Sequence, residues 1–380
     1  MFSQQIDHPV YIETNQALAA YCEQWSKAKV LALDTEFIRT NTFYPIAALI
    51  QVSDGNGCFL IDPLVIDDFA AFKQLMINPQ ITKVLHACNE DLEVFDRLLG
   101  VLPTPLIDTQ IAAGMNGLGF NLGYQAMTKG LLQIELAKGE TRSNWLQRPL
   151  THSQIHYAVL DVAYLLKMYR LLCDSLAANN RMPWLVEECD KLVNNYKIPD
   201  AIALHYLKVK SAWKLSPSQL AVLQQVIEWR EHIARERDQP RGRIIKDKSC
   251  LEIARLQPDN LRALSDINDI TPKTVRKDGE TLLTLIKQAQ ALDSAELPAA
   301  LPKPLPPANG SLLKRLKAYV AKRAEQLNMA PELLARKKDY ESLLRSGFDS
   351  GHYSLPDTLS GWRKPVIGDD LLAILTKQSG

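Results

Sequence analysis

Apolar positions in the first 200 residues fall into short runs broken by turn residues, whereas beyond about residue 205 they recur at helical spacing. The most telling run is Val30-Leu31-Ala32-Leu33-Asp34-Thr35-Glu36-Phe37-Ile38. Strand side chains alternate faces, so Asp34 and Glu36 share one face of an otherwise apolar strand. Ala47–Ser53 and Cys58–Pro63 are two further runs, joined by Asp54-Gly55-Asn56-Gly57, which predicts a hairpin. Lys83-Val84-Leu85-His86 reads as another buried strand, followed by a helix that starts at Asn89 and ends near Gly100. Beyond Pro149, Ser153 to Leu172 reads as one long amphipathic helix. Such alternation of strand and helix predicts an α/β domain.

From about residue 205 the pattern is helical only. Residues 294–310 hold five prolines and read as a semi-rigid linker. The two stretches it separates look alike. Each begins with a long amphipathic helix, Pro217 to Arg237 and Ser311 to Leu327. Gly279 precedes Leu282-Leu283 and Leu285-Ile286 at the same spacing with which Gly368 precedes Leu371-Leu372 and Ile374-Leu375. This predicts an internal duplication of an all-helical module. The expected division is therefore an α/β domain over 1–200, helical modules over 205–293 and 311–380, and a linker over 294–310.

A chain of 380 residues exceeds one ordinary core, which agrees with that division. Its apolar runs fall far short of the ~20 residues needed to cross a bilayer. The start, Met1-Phe2-Ser3-Gln4-Gln5, lacks a basic-then-apolar signal pattern, so a cytoplasmic protein is expected. The six cysteines are scattered, with no Cys-x-x-Cys pair, which argues against structural zinc and a disulfide framework. Charge changes the picture more. Residues 1–200 carry 15 Lys+Arg against 22 Asp+Glu, and residues 201–380 carry 29 against 21, or −7 and +8. A basic helical half suits a nucleic-acid partner, although solvated helix faces would give the same count.

Two carboxylates on one strand face repel, and burying them without a partner costs several kcal/mol. A hard cation such as Mg²⁺ or Mn²⁺ would offset that cost, as would a strand end that runs into solvent. Asp91, in the first turn after the 83–86 strand, is ambiguous by itself, since carboxylates there also complement the helix dipole. Tyr157 and Asp161 lie four apart and share a helix face, and Asp161 interrupts an apolar stretch. Asp62 and Asp108, beside proline or threonine at strand ends, read as turn or cap residues. His86, with no second histidine at ligand spacing, reads as a core imidazole.

In order, Asp-x-Glu on a strand, Asp at a helix start and Tyr-x-x-x-Asp on a late helix resemble the three motifs of the DEDD exonuclease superfamily in its tyrosine-bearing (DEDDy) branch. The words around them look like those of the ribonuclease D family: Leu33-Asp34-Thr35-Glu36-Phe37, Leu85-His86-Ala87 with Glu90-Asp91-Leu92-Glu93, Ile107-Asp108-Thr109-Gln110, and Trp145-Leu146-Gln147-Arg148-Pro149-Leu150 leading to Tyr157-Ala158. The resemblance covers the whole chain, with departures at Ala137 and Asn144, where the family commonly has aspartate.

It implies a ribonuclease H-like α/β exonuclease domain followed by two all-α HRDC-type domains. It also implies a 3′→5′ exoribonuclease that trims tRNA precursors and other small structured RNAs to nucleoside 5′-monophosphates, with no obligate protein partner evident. Asp34, Glu36, Asp91 and Asp161 would hold two Mg²⁺ or Mn²⁺ ions roughly 4 Å apart, and Tyr157 would orient the attacking water. Phe37 and Arg39 are candidates for a terminal base and phosphate, Lys138, Arg142 and Arg148 for the substrate path, and Arg241 and Arg243 for phosphate contacts in the helical half. The run Arg336-Lys337-Lys338 is a weaker basic candidate. A DNA exonuclease and a non-catalytic RNA-binding scaffold are the competing readings, and the sequence does not locate a 2′-hydroxyl contact that would separate RNA from DNA.

Overall fold

The computed structural model describes residues 8–136, 139–140, 143–197, 200–306, 309–347 and 350–376. The chain forms two compact units that do not follow sequence order. One comprises residues 1–38, 47–198 and 305–380, and the other residues 39–46 and 199–304.

In the first unit, β1 (Val10–Ile12), α1 (Asn15–Trp25), β2 (Val30–Ile38), β3 (Ile46–Ser53), β4 (Cys58–Ile61), α2 (Ala70–Ile77), β5 (Thr82–Leu85), α3 (Asn89–Leu99) and β6 (Leu106–Asp108) are followed by helices α4 (Thr109–Met115), α5 (Tyr124–Leu132), α6 (His152–Ala163), α7 (Leu165–Ala178) and α8 (Met182–Lys197). The six strands make one sheet in the order β1-β4-β3-β2-β5-β6. β3 and β4 pair antiparallel with Ser53 opposite Cys58, the hairpin that the turn residues predict. Its turn closes because the Asp54 side chain accepts from the Asn56 and Gly57 N–H groups at 2.8 and 2.9 Å, while Gly55 takes φ +86°. β2 pairs parallel with β5, Leu31 opposite Lys83, and β5 pairs parallel with β6. Lys83 is wholly buried in this strand. Its ammonium donates to the carbonyls of Asn78, Ile81 and Thr104 at 2.9, 2.6 and 2.5 Å, which satisfies the buried charge.

The stretch expected as one helix over 153–172 is two, α6 and α7, which break at Tyr164. A Thr151–Gln154 capping box starts α6 two residues after Pro149. α3 ends at Gly100, whose φ of +69° is the left-handed cap the sequence predicts.

The second unit contains α9 (Pro217–Glu236), α10 (Arg241–Ile244), α11 (Asp247–Leu256), α12 (Leu261–Ser265) and α13 (Pro272–Gln290). α9 starts with a Ser216–Gln219 capping box and Pro217 in its first turn. Residues 305–380, which include the module expected over 311–380, are grouped by their contacts with the first unit. They form α14 (Gly310–Leu327), α15 (Pro331–Leu334), α16 (Lys337–Ser346) and α17 (Asp369–Thr376). Trp362 stacks on Trp184 of α8 with ring centroids 4.8 Å apart, and Arg363 holds Glu188 through two bonds of 2.5 and 2.6 Å. The matched glycines have matched surroundings. A Cβ on Gly279 would lie 2.7 Å from a Leu261 methyl, and one on Gly368 would lie 2.8 Å from a Leu355 methyl. Among the described residues, no helix is long and apolar enough to cross a membrane.

Candidate active site

The parallel pairing of β2 with β5 decides where the acidic residues meet. Beyond the last paired residues, Ala32 and Val84, β2 carries Asp34 and Glu36, while the chain leaving β5 turns into α3 and its first-turn Asp91. The turn between β5 and α3 is fastened from β6. Asp108 accepts from the N–H groups of Ala87 and Cys88 at 3.0 and 3.1 Å, which steadies Ala87 at its left-handed φ of +58°. α6 brings Tyr157 and Asp161 to the same place.

Carboxylate oxygens of Asp34, Glu36 and Asp161 lie within 4.8 Å of one another, close enough to share a cation. Asp91 stands beside this trio, and the Thr35 hydroxyl donates to it. Electrostatics tie all four together. Burial, reinforced by Asp91, Asp161 and Glu36, pushes Asp34 well above the ordinary carboxylate range. Glu36 is pushed up to about 9 by burial and by Asp161 and Asp91. Asp161 rises to about 7 through burial, although the Tyr157 hydroxyl hydrogen-bonds to it and opposes the rise. Asp91 rises to about 6 through burial, and the Thr35 hydrogen bond restrains it. A donor set of four oxygen acids that resists ionisation in the absence of positive charge is the chemistry expected of a site for a hard divalent cation.

Tyr157 is held by burial and by Asp161, Glu36 and Asp34 well above the usual phenol range, so it keeps its proton. Its ring lies 6.0 Å from that of Trp145, and Gly139 packs against it so closely that a Cβ there would sit 1.6 Å from Cε2. The Tyr124 hydroxyl donates 2.8 Å to the Leu160 carbonyl, next to Asp161 in the chain. His86 is bridged at both ring nitrogens, to the Thr109 hydroxyl at 2.9 Å and the Leu122 carbonyl at 3.0 Å, as a core imidazole should be.

Thr35, Gly139, Tyr124 and the fastening role of Asp108 were not singled out from the sequence. Only Thr35 carried a signal, by lying between the two strand carboxylates.

The substrate-path candidates fare differently. Phe37 is half-buried near the end of β2. Lys138 and Arg142, with Ala137, lie outside the described residues. Arg148 is not free for a substrate, because all five of its N–H donors are taken within the fold, two of them by buried Asp62. Arg39, Arg241 and Arg243 all make contacts within the second unit, although Arg243 is exposed and Arg39 and Arg241 are only half-buried. The guanidinium groups of Arg39, Arg235 and Arg241 surround the Phe43 ring at 5.9, 4.9 and 4.7 Å. Arg241 additionally pairs with Glu231, and Arg243 donates to Asn41. Their charge holds the 39–46 segment in place.

A mixed sheet with carboxylates on its central strand, on the helix that follows the neighbouring strand and on a tyrosine-bearing late helix defines a 3′→5′ exonuclease of the α/β type. Family models agree: a 3′–5′ exonuclease domain matches residues 9–177, an HRDC domain 219–286, and the C-terminal HRDC domain of ribonuclease D 307–371. The chain is 47% identical over 365 residues to ribonuclease D of Pseudomonas paraeruginosa, covering 96% of this chain and 97% of that one. It is 36% identical over 366 residues to ribonuclease D of Escherichia coli, covering 96% and 97%. The crystal structure of Escherichia coli RNase D, described as an exoribonuclease involved in structured RNA processing, superposes with a TM-score of 0.90 at 35% identity, covering 97% of this chain and 99% of that one. The chain belongs to the ribonuclease D family, and it is a 3′→5′ exoribonuclease. Exonucleases of this fold use divalent metals, and the acidic cluster could hold one.

Proposed function

We propose that this enzyme trims the 3′ ends of tRNA precursors and other small structured RNAs, releasing nucleoside 5′-monophosphates. The observation that carries this reading is the convergence of Asp34, Glu36 and Asp161 within 4.8 Å, with Asp91 alongside. Asp34, Glu36, Asp91 and Asp161 would hold two divalent cations, which when bound supply Lewis-acid polarisation of the scissile phosphate and a more acidic water. Tyr157 acts by position. Its hydroxyl donates to Asp161, which leaves the oxygen's lone pairs free to accept from a water and to aim it at phosphorus. A phenol whose proton is held this firmly is not the base. Water adds to the phosphorus of the last phosphodiester, the bond to the preceding nucleotide's 3′-oxygen breaks, and that oxygen takes up a proton.

Structured RNA as substrate is supported by the Escherichia coli relative. The test is mononucleotide release from a 3′-extended tRNA with Mg²⁺ or Mn²⁺, alongside a matched DNA. Asp34→Asn abolishes release; full activity in that variant overturns the assignment. Equal rates on RNA and DNA overturn the substrate class.

A further inference from the structure

A cleft of the first unit has none of the four acidic-cluster carboxylates in its lining. It encloses about 690 Å³ between α3, α4 and α8 on one side and residues 332–363 on the other. Asn89 and Leu92, which line it, flank Asp91 in the first turn of α3 but point to a different face of the helix. Most charged groups in its wall are already spent. Glu188 is held by Arg363, Lys191 pairs with Glu187 at 2.6 Å, and Asp339 accepts the Arg336 N–H at 2.6 Å and the Thr358 hydroxyl at 2.7 Å.

Two cations are not spent. Arg336 lies over the Phe120 ring at 5.2 Å, and among the described residues neither it nor Lys338 has a carboxylate partner. Lys337, between them in sequence, pairs outside the cleft with Glu341 at 3.6 Å. Glu332 and Asp357 also line the cleft, among the described residues without a paired cation, as acceptors of the kind that sugar hydroxyls need. A guanidinium on an aromatic face, a second unpaired cation and hydroxyl acceptors in one cleft match the three parts of a ribonucleotide: phosphate, base and ribose.

We propose that this cleft binds a nucleotide of the substrate RNA upstream of its 3′ end, with Arg336 and Lys338 on phosphate and Phe120 beneath the base. This rests on the exoribonuclease reading above. It makes the C-terminal helical region, through Arg336 and Lys338, a direct reader of the strand being trimmed.

The experiment compares full-length protein with the double variant Arg336→Ala/Lys338→Ala and with Lys337→Ala. Affinity for a 20-nucleotide single-stranded RNA is measured by anisotropy in EDTA across a salt series, and hydrolysis of that RNA and of a trinucleotide is measured with Mg²⁺. The double variant should lose about tenfold or more in affinity, with a salt slope smaller by roughly 0.7 per lost phosphate contact. Its KM for the long RNA should rise while kcat and trinucleotide hydrolysis stay unchanged. Lys337→Ala should match wild type. An unchanged KM and slope in the double variant, or an equal loss in Lys337→Ala, overturns the cleft assignment. Failure of the wild type to hydrolyse the trinucleotide would instead overturn the exonuclease reading of the acidic site.

Discussion

Arg148 grips Asp62 through two nitrogens, Nε at 2.5 Å and Nη2 at 2.8 Å, and thereby bolts the loop that leads into α6 to the end of β4. Its remaining donors reach the carbonyls of Ala48, Trp145 and Gln147. Burial raises the Asp62 carboxyl, but the Arg148 and Leu64 hydrogen bonds outweigh it and hold the group below its ordinary range. A depressed carboxylate contributes stability above its unfolded pKa and loses it as pH falls through the folded one. Arg148→Ala should therefore cost about 2–3 kcal/mol at neutral pH and show a shallower acid limb in thermal unfolding. A rise in KM with unchanged stability would instead return Arg148 to the substrate path.

Tyr157 has almost no room to move. Gly139→Ala puts a methyl carbon where the Tyr157 ring now is, so the ring or the loop must shift. Misplacing a positioning group by about 1 Å costs on the order of 10²-fold. Gly139→Ala should lower kcat by about that factor with KM and melting temperature little changed, and Tyr157→Phe should do the same. Steady-state kinetics beside thermal unfolding checks both.

Thr35 supplies the hydroxyl that restrains Asp91 from protonation. Removing a hydrogen bond of this kind behind a metal-binding group typically costs 10–100-fold in metal affinity. Thr35→Val, nearly isosteric, should weaken Mn²⁺ binding by about tenfold at pH 7 by calorimetry, and less at higher pH where Asp91 ionises unaided. Unaltered Mn²⁺ affinity would remove Asp91 from the site.

Asp34, Glu36, Asp91 and Asp161 all have folded pKa values raised above those of the unfolded chain. Their contribution to stability is full below about pH 4 and is lost as pH rises, through about 6 for Asp91, 7 for Asp161 and 9 for Glu36. Metal-free protein should lose melting temperature steadily from pH 4 to pH 9, and Mn²⁺ should restore it most strongly at the alkaline end. Glu36→Gln should melt a few degrees higher than wild type at pH 8 without metal, while losing activity. A flat metal-free profile would contradict the electrostatics of the cluster.

Phe43, 4% exposed, is enclosed by three guanidinium groups, and the N–H groups of Phe43 and Tyr44 both donate to Asp238 at 2.9 and 3.0 Å. Phe43→Ala should cost about 3–5 kcal/mol in denaturant unfolding. Arg241→Ala should lower stability more than it lowers RNA affinity, since Arg241 is paired with Glu231 and stacked on Phe43. The reverse ranking would restore Arg241 as a phosphate contact.

The sequence alone determined the local events. The 54–57 turn, the Gly100 cap, the face shared by Asp34 and Glu36 and the face shared by Tyr157 and Asp161 follow from backbone sterics and side-chain period, which act within a few residues. The helical character of the C-terminal half followed in the same way.

Tertiary structure alone decided which residues meet across the chain. Periodicity does not say that β2 pairs with β5 and so sets Asp91 beside Asp34, or that Asp108 on β6 fastens the turn between them. It also cannot see the break at Tyr164, because both helices keep the same apolar rhythm across it. Counting basic residues likewise could not tell a cation held by an internal carboxylate from one left open. Arg148 and Arg241 found carboxylate partners 86 and 10 residues away, while among the described residues the side chains of Arg336 and Lys338 have none. Pairing depends on distances through space, and only the packed chain sets those.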